Sequence, residues 1–251
     1  MRRLWGSKAG RIGIVVVVLV VLAVTAGPWA YINLIRDDPP DRLSFDDAAA
    51  AAAADTDATG ADAGGTTASP AAAGSSDPAD VSGEWKVAAG SQVGYRVKEI
   101  LFGQDTEGVG RTSDVTGTLQ IEGTTVTAAT FEVDLTTVKS DESRRDSQFR
   151  GRIMSTDRFP TATFVLTSPI ELEAIPEDLV EIETVATGDL TLRGTTRSVD
   201  IDLVARRNGA SIEVTGSLTI VFDEWGIPNP SNGPITTEDH GELELLLVFG
   251  R

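Results

Sequence analysis

The chain has no cysteine, a single histidine (His240), two tyrosines and two methionines among its 251 residues. Without cysteine there is no disulfide, no thiolate nucleophile, no cysteine metal site and no lipid attached through a cysteine. One histidine leaves carboxylates as the plentiful metal donors. These suit hard ions, so no metal, cofactor or transition-metal chemistry is assigned. Basic residues are scarce as well: 21 Lys and Arg face 38 Asp and Glu, a formal net charge of -17. A nucleic-acid binder needs a basic face for phosphate, and that class is set aside.

Charge of either sign is missing from residues 12–35, IGIVVVVLVVLAVTAGPWAYINLI. As a helix these 24 residues would rise about 36 Å, enough to cross a hydrocarbon core of about 30 Å. Arg2, Arg3, Lys8 and Arg11 precede the run, and Asp37, Asp38 and Asp41 follow it. The bias predicts a cytoplasmic N-terminus (1–11), a single transmembrane helix (12–35) and an extracytoplasmic remainder, with Trp29 and Tyr31 at the outer interface. The competing expectation is a signal peptide cleaved near Ala26, after the small residues Val24 and Thr25, giving a secreted protein.

Residues 37–80 carry a seven-alanine run from Ala48 to Ala54, then Asp, Thr, Gly, Ser and Pro, with Phe45 as the only aromatic. One Arg against ten Asp and low hydrophobicity predict a disordered linker. As a flexible coil it would span on the order of 35 Å, letting the following domain roam near the membrane.

From Val81 to Arg251 the pattern is two-residue alternation punctuated by glycine. Leu119 and Ile121; Phe131, Val133 and Leu135; Phe164 and Leu166; and Leu190 and Leu192 each set apolar side chains on one face. The series continues with Val199, Ile201 and Leu203; Ile212 and Val214; Leu218, Ile220 and Phe222; and Leu243, Leu245, Leu247 and Phe249. This predicts about eight half-buried antiparallel strands in an all-β barrel or sandwich. Turns fall at Glu122-Gly123, Arg193-Gly194 and Asn208-Gly209, the last a pair preferred in type I′ hairpins. An eight-stranded barrel is the size that is either filled by side chains or holds one small ligand.

One helix-like stretch interrupts the strands, Arg144 to Phe164, with Phe149, Ile153 and Met154 at helical spacing beside a cluster of arginines. Here the residues become specific: Arg145-Asp146, Phe149, Arg150, then Phe159-Pro160 and Thr161-Ala162-Thr163-Phe164. Further on stand Gly188-Asp189-Leu190-Thr191-Leu192-Arg193-Gly194-Thr195-Thr196, with Val199 and Ile201 after them, and Phe222 to Ile227. With the opening Gly83-Glu84-Trp85-Lys86-Val87, this stretch of the chain resembles the YceI-like family over nearly all of 81–251. The resemblance implies a lipocalin-like eight-stranded antiparallel barrel with one short helix, enclosing an isoprenoid chain such as a polyprenyl phosphate or a quinone tail, and no catalysis. The membrane span and the alanine-aspartate linker depart from the family's basic secreted form, and its aromatic pair near the helix end is Ile153-Met154 here.

An isoprenoid tail needs a continuous apolar lining, and each buried methylene contributes about 0.8 kcal/mol. The candidates are Phe102, Phe131, Phe149, Met154, Phe159, Phe164, Phe222 and Trp225, with plain core packing as the alternative for each. Arg145, Arg150 and Arg152 are candidates for a phosphate headgroup, since a guanidinium matches phosphate oxygens. The alternative is solvation of the helix, with Asp146 or Ser143 capping it. His240 beside Glu238 and Asp239 lacks the second histidine or nucleophile of a working site, and adjacent Asp141 and Glu142 do not converge on a substrate. A membrane-tethered isoprenoid-binding module is therefore expected. A structural or stress-related module with a filled barrel and a protein partner is the alternative, and homodimerisation is left open.

Overall fold

The computed structural model describes residues 39–50, 80–101, 103–233 and 235–251. The expected membrane helix and most of the 37–80 linker lie outside the described residues. Among the described residues, no helix is long and apolar enough to cross a membrane.

The sheet closes on itself as an eight-staved antiparallel barrel built from thirteen strand segments. The first stave is β1 (Gly83–Val87) with β2 (Gln92–Leu101), and the second is β3 (Gln104–Thr112) with β4 (Val115–Glu122). β5 (Thr125–Asp134) with β6 (Lys139–Ser140) makes the third, and β7 (Thr161–Leu166) with β8 (Ile170–Glu171) the fourth. Then come β9 (Ile182–Leu192), β10 (Thr195–Asn208) and β11 (Ser211–Val221), and finally β12 (Ile235–Thr237) with β13 (His240–Gly250). Each stave pairs with the next in sequence, and β13 returns to both β1 and β2, so the ring has no open edge. The alternation in the sequence sets the faces. Leu119, Ile121, Phe131, Val133, Leu190, Leu192, Ile201, Leu203, Ile212, Val214, Leu245, Leu247 and Phe249 all point inward.

Two hairpins show how turn residues fix this register. Arg193 (φ 50°) and Gly194 (φ 77°) both adopt the left-handed conformation between Leu192 and Thr195, the signature of a type I′ turn. The second differs from expectation by one residue: Asn208 pairs with Ser211, so Gly209 (φ 58°) and Ala210 form the loop, and only the glycine has positive φ. That places glycine first, as a II′ turn requires.

The helix inserted between the barrel strands is α-helical over Ser143–Gln148 and π-helical over Phe149–Ile153. Its cap is Glu142, whose carboxylate accepts from the Arg144 N–H at 3.1 Å; neither Ser143 nor Asp146 fills that role. Asp146 instead accepts from the Ser140 N–H at 2.8 Å and hydroxyl at 2.7 Å, pinning the helix to β6. The π turn, in which the Met154 N–H donates to Phe149 O at 2.8 Å, lets Phe149 and Met154 both face the barrel interior.

Residues 39–50 were expected to be disordered and are instead laid across the outer wall as a strap. Composition missed the local features that secure it. Arg96, buried on the outer face of β2, donates to Pro40 O at 2.8 Å, and Arg111 donates to Asp41 O. Arg42 pairs with Glu242, and Phe45 and Ala48 pack on Leu246 and Val248 of β13. Residues 45–50 are helical, with Asp47 reaching back to accept from the Ser44 N–H at 2.8 Å, one half of a capping box. Beneath the strap lies a buried ion network: Arg96 meets Glu244 and Glu107, each at 2.5 Å, and Arg111 lies 3.4 Å from Glu244. Burial alone would lower the Arg96 pKa, but the hydrogen bonds to Glu244 and Glu107 outweigh it and hold the guanidinium charged.

Candidate functional site

The barrel is not filled. A cavity of about 290 Å³ runs its length, from Val81, Ile175 and Pro176 at one end to Glu99, Arg145 and Pro230 at the other. Its openness follows from a pairing of aromatic residues with glycines. Tyr95 sits directly across from Gly110 in the ladder, and Phe131 directly across from Gly117. A Cβ at Gly110 would stand 2.5 Å from Tyr95 Cε1, and one at Gly117 would stand 2.5 Å from Phe131 Cδ1. Gly188 is likewise overlaid by the ring of Phe164. Each ring therefore lies against the wall, in the space a neighbouring side chain would take, instead of reaching across the lumen. Phe131 and Phe164 stack at 6.4 Å, Phe131 meets Phe249 at 5.8 Å, and Tyr95 stacks on Phe149 at 5.1 Å.

Of the eight apolar candidates, Phe131, Phe149, Met154, Phe164 and Phe222 stand in the cavity wall. Phe159 and Trp225 do not. Phe159 packs over Gly194 with Arg158 at 5.2 Å from its ring, and Trp225 is buried beneath Arg197 at 5.9 Å. Both follow from local sequence: Phe159 precedes Pro160 in the loop before β7, and Trp225 closes a 3-10 turn over Phe222–Trp225, so neither sits on an inward strand position. Phe102 lies outside the described residues.

The three arginines separate. Arg145 lines the cavity, ion-paired to Asp141 and 3.4 Å from buried Glu99, and Gly108 leaves room for that pair. Burial works against the Arg145 charge, but Glu99 and Asp141 outweigh it and raise its pKa. Arg152 is exposed and donates to Asn229 O at 2.9 Å and Pro230 O at 3.0 Å, tying the helix to the β11–β12 loop. Arg150 makes no side-chain hydrogen bond or ion pair among the described residues. His240 lies at the surface, 3.2 Å from Glu238 and 2.9 Å from Asp239.

Tyr95 and Glu99 were not anticipated as site residues. Tyr95 lines the lumen, its phenol makes no hydrogen bond among the described residues, and burial pushes its pKa above the ordinary value against the pull of Arg145. The signal was in β2, where Val93, Tyr95, Val97 and Glu99 alternate inward. The result is an apolar tube with charged groups near both ends, Glu99 and Arg145 at one and Arg206 and Arg207 at the other, suited to an elongated apolar molecule bearing a polar head.

The sequence profile of the YceI-like domain matches residues 85–249. The chain belongs to the YceI-like family. A polyisoprenoid binding domain from Saccharophagus degradans, implicated in plant cell wall breakdown, superposes with a TM-score of 0.51 at 16% identity, over 66% of this chain and 97% of that one. BcnA of Burkholderia cenocepacia gives 0.48 at 20% identity, over 63% and 95%. The YceI protein of Campylobacter jejuni gives 0.41 at 14% identity, over 54% and 82%. No curated protein matches by sequence. The YceI-like domain of this chain is thus a closed barrel with one short helix, and the strap at 39–50 precedes the matched region.

Proposed function

We propose that this YceI-like protein is a membrane-tethered, extracytoplasmic binding protein for an isoprenoid lipid, a polyprenyl phosphate or an isoprenoid quinone, which it binds for transport or storage and does not transform. The observation that carries this reading is the apolar cavity through the barrel. A prenyl chain offers no hydrogen-bonding groups, and the wall of that cavity is apolar along most of its length, with polar groups gathered toward its ends at Tyr95, Glu99 and Arg145 and at Arg206 and Arg207. The open lumen weighs against the alternative of a side-chain-filled module with a protein partner. Residues 12–35 supply the tether, with the N-terminus cytoplasmic; cleavage near Ala26 would release the same barrel. Phe131, Phe149, Met154, Phe164 and Phe222 line the chain's path. Arg150 is the arginine with a guanidinium available for a phosphate.

The test is native mass spectrometry with lipid extraction on the full chain, purified from membranes in mild detergent. A near-stoichiometric prenyl lipid supports the reading. A protein that arrives empty and takes up neither added polyprenyl phosphate nor quinone overturns it. Replacing Arg150 with alanine should weaken polyprenyl phosphate binding more than quinone binding, and equal losses remove the headgroup role.

A further inference from the structure

We infer that the strap holds the β2–β3 wall of the barrel against the bilayer, so that the domain rests on the membrane in one orientation instead of drifting on a long linker. The inference rests on residues 12–35 being the anchor. Its geometry starts at Pro40, fixed to Arg96 in β2, and Asp41, fixed to Arg111 in β3. Only residues 36–39 separate that attachment from Ile35 at the end of the apolar run. Fully extended, the chain from Ile35 to Pro40 reaches at most about 18 Å. The alanine- and aspartate-rich tract beyond the strap joins it to β1, so its length adds nothing to the distance between anchor and barrel.

The attachment is built to persist. Its backbone carbonyls accept from two guanidinium groups that are themselves locked to Glu244, a carboxylate only 4% exposed. Phe45 then anchors the far end of the strap, under Arg206 of β10. The wall so presented carries Lys98 and Ile100 outward on β2, with Ile100 46% exposed, an apolar side chain that a headgroup-level interface accommodates. The end of the lumen that holds Glu99 and Arg145 belongs to that same end of β2, so the orientation brings that end of the cavity close to the lipid source.

Because the chain has no native cysteine, single labels can be placed at will. The full chain carrying Lys98→Cys or Asp189→Cys is labelled with a donor dye and reconstituted in vesicles of phosphatidylethanolamine and phosphatidylglycerol bearing a headgroup acceptor. Residue 98 is on the strapped wall, and exposed Asp189 is on β9, half-way round the ring. The expected result is energy transfer several-fold stronger from position 98 than from position 189. Inserting a Gly/Ser segment of about 16 residues between Asp38 and Pro39 adds roughly 20 Å of root-mean-square reach and should abolish the difference. That insertion keeps every strap and barrel residue, so the loss cannot arise from unfolding. Equal transfer from both positions in a chain that floats with vesicles overturns the orientation and leaves the anchor standing; a chain that does not float overturns both.

Discussion

The guanidinium of Arg206 lies over the ring of Phe45, its central carbon 4.2 Å from the ring centroid. Arg206 is itself held by Glu213 at 2.7 Å, so the cation is placed before the ring arrives. A short segment more than 150 residues away in sequence is thereby made part of the barrel.

Phe45→Ala should therefore destabilise the domain, although Phe45 precedes the region shared with the family. Removing the ring uncovers Leu246, which is fully buried, and leaves a void over Val248. The loss is expected at about 2–3 kcal/mol, below a central core phenylalanine because the site is peripheral. Thermal denaturation checks it, with a drop of several degrees expected. An unchanged midpoint would mean that the strap is only loosely held.

The ion network beneath the strap predicts a sharp non-additivity. Glu244→Ala leaves Arg96 buried with a weaker set of partners and should cost about 3–5 kcal/mol. The double variant Arg96→Met, Glu244→Leu removes both charges from the same buried site and should recover a good part of that loss. Urea denaturation of Arg96→Met, Glu244→Leu and the double variant measures the coupling. Simple addition of the two single losses would contradict it.

Acid should loosen the strap before it unfolds the barrel. The hydrogen bond from Arg42 holds the Glu242 carboxylate below the usual range, with burial opposing. A depressed carboxylate pKa stabilises the fold above its unfolded value of about 4.3, and that stability is lost as pH falls through the lower folded value. The pair is partly exposed, so the effect is modest. The urea midpoint of the parent should exceed that of Arg42→Met at pH 6, and the gap should close near pH 3. A gap that persists at acid pH would assign the Arg42 contribution to packing.

The lumen can be blocked at one position. Ala186 faces the cavity from β9 and is 4% exposed. Ala186→Phe displaces two or three methylene contacts at about 0.8 kcal/mol each, which should weaken prenyl-lipid uptake by roughly tens-fold. Gly188→Ala should act similarly by lifting the ring of Phe164 off the wall. Lipid titration with the thermal midpoint recorded in parallel separates blockage from unfolding.

Much of the barrel was legible from period alone, because the strands between Leu119 and Ile220 alternate and one face must be dry. What period could not convey was coverage of the outer face. In Leu243–Phe249 the alternation fails: Leu246 and Val248 are apolar too, a strand buried on both sides. That run, together with Ser44-Phe45-Asp46-Asp47 ahead of the alanines, was the trace of the strap, but composition averaged over 44 residues drowned it. The lumen's width was hidden for a different reason. Whether Phe131 or Phe164 fills space or lines it depends on the glycine lying beneath its ring, and that pairing exists only once the register is set.

The strap leaves the ribosome some two hundred residues before the strand it lands on. Much of its seat, Glu242, Glu244, Leu246 and Val248, lies in β13, the stave that completes the ring. Arg96, Arg111 and Arg206 supply the rest from β2, β3 and β10, so the seat is complete only when the last strand has paired with the first. Its docking is a terminal folding step, a latch that closes only on a finished barrel.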